Sequence, residues 1–468
     1  MMERISHRDR DENIYEALCN EPGRPKTYHI VTMGCQMNVR DSETMAGTLE
    51  KAGMVYEGER NKADLILYNT CAVRENAENK ALGNVIWLKE LKAVRPELFI
   101  AVTGCMMQEE GMAERVLKSY PFIDLAFGPH NQQELPGLLL RAIRGRRRVV
   151  EVWNEPDGIH EDMPVKRNST FQHFVTVMYG CNNFCSYCVV PYVRGRERSR
   201  SQEDVLDEMK RLVDSGAKEI TLLGQNVNSY GGGGDAFANL LRKADGLGVE
   251  RIRFMTSHPK DMSDELIACF GELTHLCPQL HLPVQAGCDR VLSEMNRRYT
   301  REKYMGLVEK LRTVCPDIGL TTDIIVGFPS ETYEEFRETV ELMKAVRYDA
   351  AFTFVYSPRP GTRAAGMPDP VSAQEKSRWI QELIAVQQEI TQDICRQRIG
   401  EVDQVLVEGE SARGSGYMGG KTPRGHMVNF PGNGDMIGRI VKVRIMDTGK
   451  NTLRGEYVGP ADRAERNI

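Results

Sequence analysis

Cysteine is the residue whose spacing in this chain can do chemistry. In "YGCNNFCSYCVVPY", Tyr179 to Tyr192, the thiols of Cys181, Cys185 and Cys188 crowd into one short stretch, and no fourth cysteine follows nearby. A structural zinc site wants a closed tetrahedron of four protein ligands, so C-x3-C-x2-C without a partner is a poor zinc knuckle. Three thiolates can instead hold three irons of a 4Fe-4S cube and leave the fourth iron open to a ligand from outside the chain.

A second set of thiols is spread wider. The apolar runs "YHIVTMGC", "ADLILYNTC" and "LFIAVTGC" each end in a cysteine, Cys35, Cys71 and Cys105. The spacing is about one strand-helix unit in each case. Such alternation predicts a parallel sheet with right-handed crossovers, whose ligands gather beyond the carboxyl ends of the strands. A small residue at each strand end would satisfy packing alone, but the same residue at the same point of three units is hard to obtain that way. The three thiols are therefore expected to converge at one sheet edge. Cys19, Cys269, Cys277, Cys288, Cys315 and Cys395 fit no ligand spacing and read as ordinary thiols.

The elements that must position these residues follow from pattern. A chain of 468 residues with 41% hydrophobic residues has material for several domains. Residues 1–26 read as a leader and 27–150 as the parallel α/β domain. The polar stretch 151–170, "EVWNEPDGIHEDMPVKRNST", reads as a linker. From 171 to 397 six strand candidates, "FVTVMYG", "EITLLGQNV", "RIRFMTSH", "LHLPVQA", "LTTDIIVGF" and "DAAFTFVYS", alternate with helical stretches. They predict a partial (β/α)6 barrel with its site at the C-terminal strand ends. Ser372 and Glu375 form a capping box for a closing helix with an apolar stripe at Trp379, Leu383, Ile390 and Ile394. Residues 398–468, with short alternating runs and glycine-rich turns, predict a small antiparallel β-barrel. Between Arg413 and Arg454 stand eight Lys or Arg against two acids, in a chain of net charge −5. That excess fits either a nucleic-acid backbone or a solvated charged face.

The beginning "MMERISHRDRDENIYEAL" has no apolar core of a signal segment, and no apolar run approaches the length of a membrane span, so a cytoplasmic setting is expected. In a reducing compartment twelve cysteines point to metal or catalysis rather than disulfides.

"CNNFCSYC" after the first strand of a βα barrel resembles the radical S-adenosylmethionine superfamily, with Tyr187 as the aromatic residue before the last cysteine. "TMGCQMNVRDSE", "NTCAVRENAENK" and "TGCMMQ", with "VPYVRGRERSR", "LHLPVQAG", "GFPSET" and "YSPRPGT", resemble the methylthiotransferase family over nearly the whole chain. The C-terminal segment resembles a TRAM domain. The resemblance implies two 4Fe-4S clusters. Cys181, Cys185 and Cys188 would hold the one that cleaves S-adenosylmethionine, and Cys35, Cys71 and Cys105 an auxiliary one that carries sulfur. The reaction implied is methylthiolation of an unactivated C–H bond, with a second S-adenosylmethionine as methyl donor. The wording of "GCQMN" and "VPYVRGRERSR" most resembles members that act on carbon 2 of N6-isopentenyladenosine beside a tRNA anticodon. Members acting on threonylcarbamoyl-adenosine or on a ribosomal protein share the architecture, and a non-enzymatic iron–sulfur RNA-binding protein would share the clusters.

Further site residues are expected around these clusters. Tyr187 and the strand-end residues Gln225, Asn226, Ser257, Gln285 and Asp323 stand where a barrel mouth meets a cofactor. Arg194, Arg196, Arg198 and Arg200 follow the cysteine loop and would either grip phosphates or pair with acids of their own domain. "RAIRGRRR", Arg141 to Arg148, is a basic run that also fits a solvated helix end. Lys421 and Arg424 are the expected contacts of the terminal barrel to the anticodon arm. The partners implied are tRNA and a flavodoxin- or ferredoxin-type reductant, with a monomeric chain.

Overall fold

The structure, a computed structural model, describes residues 7–72, 83–412 and 414–461. Arg413 and residues 73–80 of "NTCAVRENAENK" lie outside them. The chain forms two compact units, the first comprising Met1–Asn168, Tyr179–Asn182 and Cys188–Arg198, the second Ser169–Met178, Asn183–Tyr187 and Ser199–Ile468.

In the first unit, β1 (Thr27–Thr32), β2 (Val55–Tyr56), β3 (Leu65–Thr70), β4 (Phe99–Gly104), β5 (Leu125–Phe127) and β6 (Val149–Glu151) form a parallel sheet in the order β2-β1-β3-β4-β5-β6. Strand β3, "LILYNT", is buried at every position, as a strand covered on both faces must be. Helices α1 (His7–Cys19), α2 (Gln36–Lys51) and α5 (Leu135–Gly145) cover one face and α3 (Leu88–Val94) and α4 (Met112–Ser119) the other. A single-turn helix α6 (Val190–Val193) follows the cysteine loop.

Two boundaries differ from expectation. The stretch expected as a leader contains α1, whose Tyr15 and Leu18 are buried in the sheet's helical layer. Those two apolar residues sit three positions apart, enough to bury one helical face despite the charges around them. The expected linker is sewn to the domain. Lys166 N–H donates to the Glu43 carbonyl at 2.9 Å and Asn168 N–H to the Glu43 carboxylate at 3.0 Å. A Cβ on Gly47 would lie 2.5 Å from the Pro164 backbone, so helix α2 needs glycine to admit this strap. Polar composition here reflects backbone pairing and not freedom.

In the second unit all six expected strands form: β7 (Gln172–Thr176), β10 (Glu219–Leu223), β11 (Arg251–Phe254), β12 (Gln279–His281), β13 (Gly319–Val326) and β14 (Ala350–Val355). Short strands β8 (Met178–Tyr179) and β9 (Arg198–Ser199) flank the cysteine loop. The six make two three-stranded parallel sheets, β11-β10-β7 and β12-β13-β14, linked by a single bridge between Ile252 and Leu276. Helices α7 (Gln202–Asp214), α8 (Ala236–Asp245), α9 (Asp264–Glu272), α10 (Asp289–Glu294), α11 (Arg301–Val314) and α12 (Tyr333–Val346) surround them. The closing helix α13 (Ala373–Gln397) begins at the Ser372/Glu375 capping box and buries Trp379, Leu383, Ile390 and Ile394.

The chain ends in a closed barrel of β15 (Val402–Glu410), β16 (Tyr417–Lys421), β17 (Met427–Pro431), β18 (Ile440–Thr448) and β19 (Leu453–Pro460), in the order β15-β16-β17-β19-β18. All pairings but one are antiparallel. β17 and β19 run parallel, which a connection through β18 makes unavoidable. This barrel docks on the amino ends of the six parallel strands. Arg251, at the start of β11, donates to the carbonyls of Lys421 at 2.8 Å and Gln404 at 3.0 Å, and Arg253 to those of Pro423 and Thr422, each at 2.8 Å. Glu219, at the start of β10, holds Arg253 at 2.8 Å. The small barrel thus sits at the end of the strands opposite their carboxyl tips.

Candidate active site

The first set of thiols lies along one edge of the parallel sheet. Cys35 is the residue before α2, Cys71 follows β3 and Cys105 opens a 3-10 turn after β4. Strands β1, β3 and β4 are neighbours, so all three lie on one carboxyl edge. Glycine makes the crowding feasible: at Gly104, φ is +101°, and an added Cβ would lie 2.2 Å from the Thr70 carbonyl oxygen. An amide lattice fixes the turns. Asn38 donates to Asn69 at 3.1 Å and to the Thr70 carbonyl at 3.0 Å, while Asn69 donates to the Asn38 carbonyl at 2.9 Å and to Ser42 at 3.0 Å.

Arg194 completes this edge. It is 6% exposed; its Nε–H donates to Sγ of Cys105 at 3.0 Å and its terminal nitrogen meets Asp41 at 2.7 Å. Burial pushes the Cys105 thiol up to about 12, against the pull of Arg194. Burial alone would lower the arginine, but Asp41 and Cys105 together hold it well above its ordinary value. Among the described residues no three Cys, His, Asp or Glu side chains are already drawn into a metal-holding cage. What the edge provides is three soft donors and one cation, a donor set that fits an iron–sulfur cluster and not a hard cation.

In the cysteine loop, Cys181 and Cys188 belong to the first unit and Cys185 to the second. Cys181 N–H is held by the Gly195 carbonyl at 3.1 Å, and Val189 and Val193 pack with Ala72 and Cys105. Cys185 is met by Arg297, 4% exposed, at 3.4 Å. Arg297 also donates to Tyr299 at 3.0 Å and to the Pro283 carbonyl at 2.8 Å. Asn296 donates to the carbonyls of Asn183 at 3.1 Å and Phe184 at 3.0 Å, and Ser186 ties to the Glu294 carbonyl at 2.7 Å. The segment "MNRRY" therefore shapes the loop from behind.

Of the expected strand-end residues, Gln225 and Asn226 follow β10, Ser257 follows β11 and Gln285 follows β12, whereas Asp323 lies inside β13, three residues before its end. Asn226 is buried, with its amide on Asp261 at 2.8 Å. Its Oδ1, the Ser257 Oγ, the His258 Nε2 and the Tyr356 hydroxyl are buried without a hydrogen-bond partner among the described residues. The His258 Nδ1 accepts from the Lys260 N–H at 3.2 Å; burial, then Arg297 and Lys260, drives the ring's pKa far down, so it stands neutral with a proton on Nε2. Gln285 adopts φ +74° between β12 and β13, and Thr256 φ +68° beside Ser257, strain of the kind that collects at ligand sites. Asp323 is partly exposed, 3.6 Å from His281, and Gln225 is half-buried just past β10. Orphaned donors and acceptors at a barrel mouth fit a polar, zwitterionic ligand such as S-adenosylmethionine. Tyr187 packs against the barrel core.

Three of the arginines expected at phosphate are occupied elsewhere. Arg194 is committed as above. Arg200 is buried on Glu208 at 2.5 Å and on the Thr176 carbonyl at 2.8 Å. Arg424 lies between Asp317 and Asp349, the latter at 2.7 Å, where it fastens the small barrel. A guanidinium sequestered with carboxylates is not offered to RNA; Arg200 takes an acid of its own segment, whereas Arg194 and Arg424 take theirs from segments far away in sequence. Arg198 donates to the Gly158 carbonyl at 2.9 Å and lies over the Tyr179 ring. Arg196 is exposed, and Lys421 is 44% exposed beside Glu408. Of the basic run, Arg141 pairs with Glu151 and Arg144 with Glu21 at the end of α5. Asp41, Arg297, Tyr299, Asn296 and His258 were not singled out from sequence; "TSHP" after a strand-like run and "NRRY" after a short helical one were the available signal.

Three family models match this chain: the Radical SAM superfamily over residues 175–343, Uncharacterized protein family UPF0004 over 27–128 and the TRAM domain over 396–458. A tRNA-2-methylthio-N(6)-dimethylallyladenosine synthase of Thermoanaerobacter sp. (strain X514) is 48% identical over 454 residues, 96% of each chain. The protein of that name from Carboxydothermus hydrogenoformans (strain ATCC BAA-161 / DSM 6008 / Z-2901) is 51% identical over 437 residues, 92% of this chain and 99% of its own. Among solved structures, a radical S-adenosylmethionine methyltransferase from Kitasatospora setae aligns with a TM-score of 0.53 at 16% identity, covering 73% of this chain and 75% of its own, a likeness of fold.

Proposed function

Because this chain belongs to the family of tRNA-2-methylthio-N(6)-dimethylallyladenosine synthases, we propose that it adds a methylthio group to carbon 2 of N6-isopentenyladenosine beside the anticodon of tRNA. It is a radical S-adenosylmethionine methylthiotransferase that uses two 4Fe-4S clusters and S-adenosylmethionine. The observation that carries the reading is the presence of two separate three-cysteine sets, one closing a parallel sheet edge and one in the loop after the first barrel strand. When bound, the clusters and S-adenosylmethionine supply hydrogen-atom abstraction and a sulfur source, which no side-chain base can provide at an unactivated C–H bond.

The chain's own residues bind and orient. Cys181, Cys185 and Cys188 are the proposed ligands of the radical cluster, and Cys35, Cys71 and Cys105 those of the auxiliary one. Asn226, Ser257 and His258 offer an acceptor, a hydroxyl and an N–H to the cofactor, with Gln225, Gln285, Asp323 and Tyr187 as its further proposed contacts. Arg196, Arg198 and Lys421 remain the proposed contacts to the tRNA backbone. Among the described residues no helix is long and apolar enough to cross a membrane. A cytoplasmic monomer fed by a flavodoxin- or ferredoxin-type reductant completes the proposal.

The test is mass spectrometry of nucleosides from tRNA incubated anaerobically with reconstituted protein, reductant and S-adenosylmethionine. The expected result is a 2-methylthio product on isopentenylated tRNA and none on unmodified tRNA. Release of deoxyadenosine without that product would overturn the substrate assignment and point to threonylcarbamoyl-adenosine or a protein side chain.

A further inference from the structure

Arg194 stands six residues after Cys188, yet its side chain serves the other thiol set. It is capped into place by its own helix, its N–H on the Val190 carbonyl at 2.8 Å, and Val193 beside it packs on Ala72 and Cys105. Its Nε–H points at the Cys105 sulfur from 3.0 Å, and a terminal nitrogen of the same guanidinium lies 2.7 Å from the Asp41 carboxylate. Asp41 lies on α2, the helix that Cys35 begins. The cation is therefore tied to the immediate surroundings of all three thiols.

A buried ion pair contributes little net stability, because desolvation cancels most of the attraction. The placement has a clearer use in charge balance. Three thiolates around a 4Fe-4S core carry net negative charge, and one-electron reduction adds another. A fixed cation and an N–H donated to a ligand sulfur stabilise the reduced form over the oxidised one. Asp41 works in the opposite sense while it holds the guanidinium in orientation.

We infer that Arg194 and Asp41 form a positioning pair that sets the reduction potential and iron retention of the auxiliary cluster, Arg194 raising the potential through its contact with Cys105 and Asp41 lowering it. This rests on the reading that Cys35, Cys71 and Cys105 hold that cluster.

The experiment is a redox titration followed by electron paramagnetic resonance on the full-length, doubly reconstituted protein, with the auxiliary signal assigned as the one lost in Cys71→Ala. Arg194→Gln is expected to shift the auxiliary midpoint downward and to speed iron loss to a chelator roughly tenfold. Asp41→Asn is expected to shift the same midpoint upward. The radical cluster's midpoint stays put in both. Unmoved midpoints, shifts of the same sign, or equal shifts of both clusters would overturn the inference, since a merely structural pair gives no opposed displacements. Should Arg194→Gln fail to fold, the sign of the Asp41→Asn shift decides alone. If Cys71→Ala removes no signal and no iron, the cluster assignment itself is wrong, a failure distinct from that of the pair.

Discussion

Arg297 reaches the sulfur of Cys185 at 3.4 Å while its other nitrogens hold Tyr299 and the Pro283 carbonyl. One buried guanidinium thus joins the cysteine loop to the barrel wall. Lysine keeps the charge and loses the planar fork. Arg297→Lys is expected to slow reductive cleavage of S-adenosylmethionine by about tenfold or more and to lower stability by roughly 1–3 kcal/mol. Deoxyadenosine release and urea unfolding check the two effects; wild-type cleavage in the variant would mean that the contact with Cys185 is incidental.

The two thiol sets are separable. Cys181→Ala is expected to abolish deoxyadenosine formation altogether. Cys71→Ala is expected to retain it and to lose the methylthio product, because Cys71 follows β3 at the sheet edge and is not part of the Cys181 loop. Product from Cys71→Ala would remove the auxiliary role.

Glu331 gives the chain a pH dependence. Burial, opposed by hydrogen bonds from the N–H groups of Phe328 and Gly327, raises its carboxyl from 4.5 to about 7. A raised acid binds its proton more tightly folded than unfolded, so its stabilising contribution is complete below pH 4.5 and is lost as pH climbs to about 7. The slope over that window is about 1.4 kcal/mol per pH unit at most. Glutamine keeps an acceptor for both N–H groups, so thermal melting of Glu331→Gln should show a flatter profile between pH 5 and 7 than wild type. Parallel profiles would reject the assignment.

Arg424 and Lys421 should part company. Removing Arg424 leaves the buried Asp349 with His426 and the Leu320 N–H, each at 2.9 Å, and leaves Asp317 to Arg398 at 2.8 Å. Arg424→Ala is expected to cost about 3 kcal/mol in urea unfolding. Lys421→Ala is expected to leave stability within about 0.5 kcal/mol and to weaken tRNA binding, with a shallower salt dependence. Equal stability of the two variants would show that the fastening by Arg424 is dispensable.

The sequence by itself made legible the two three-cysteine sets proposed to carry the chemistry, the six barrel strands, the capping box at Ser372 and the order of the three matched regions. These signals are local: a strand-ending cysteine, an alternating apolar run or a capping box is legible within about ten residues. What the tertiary structure decided is which partner each charge takes. Arg194, Arg200 and Arg424 look alike in sequence to Arg196 and Lys421, and all five read as candidates for phosphate. Folding brings Asp41, Glu208 and Asp349 to the first three, the farthest of them 153 positions away in sequence, and spends their charge inside the protein. The orphaned atoms of Asn226, Ser257 and His258 are likewise invisible in sequence, because an unpaired polar atom is defined by what every other segment fails to bring to it.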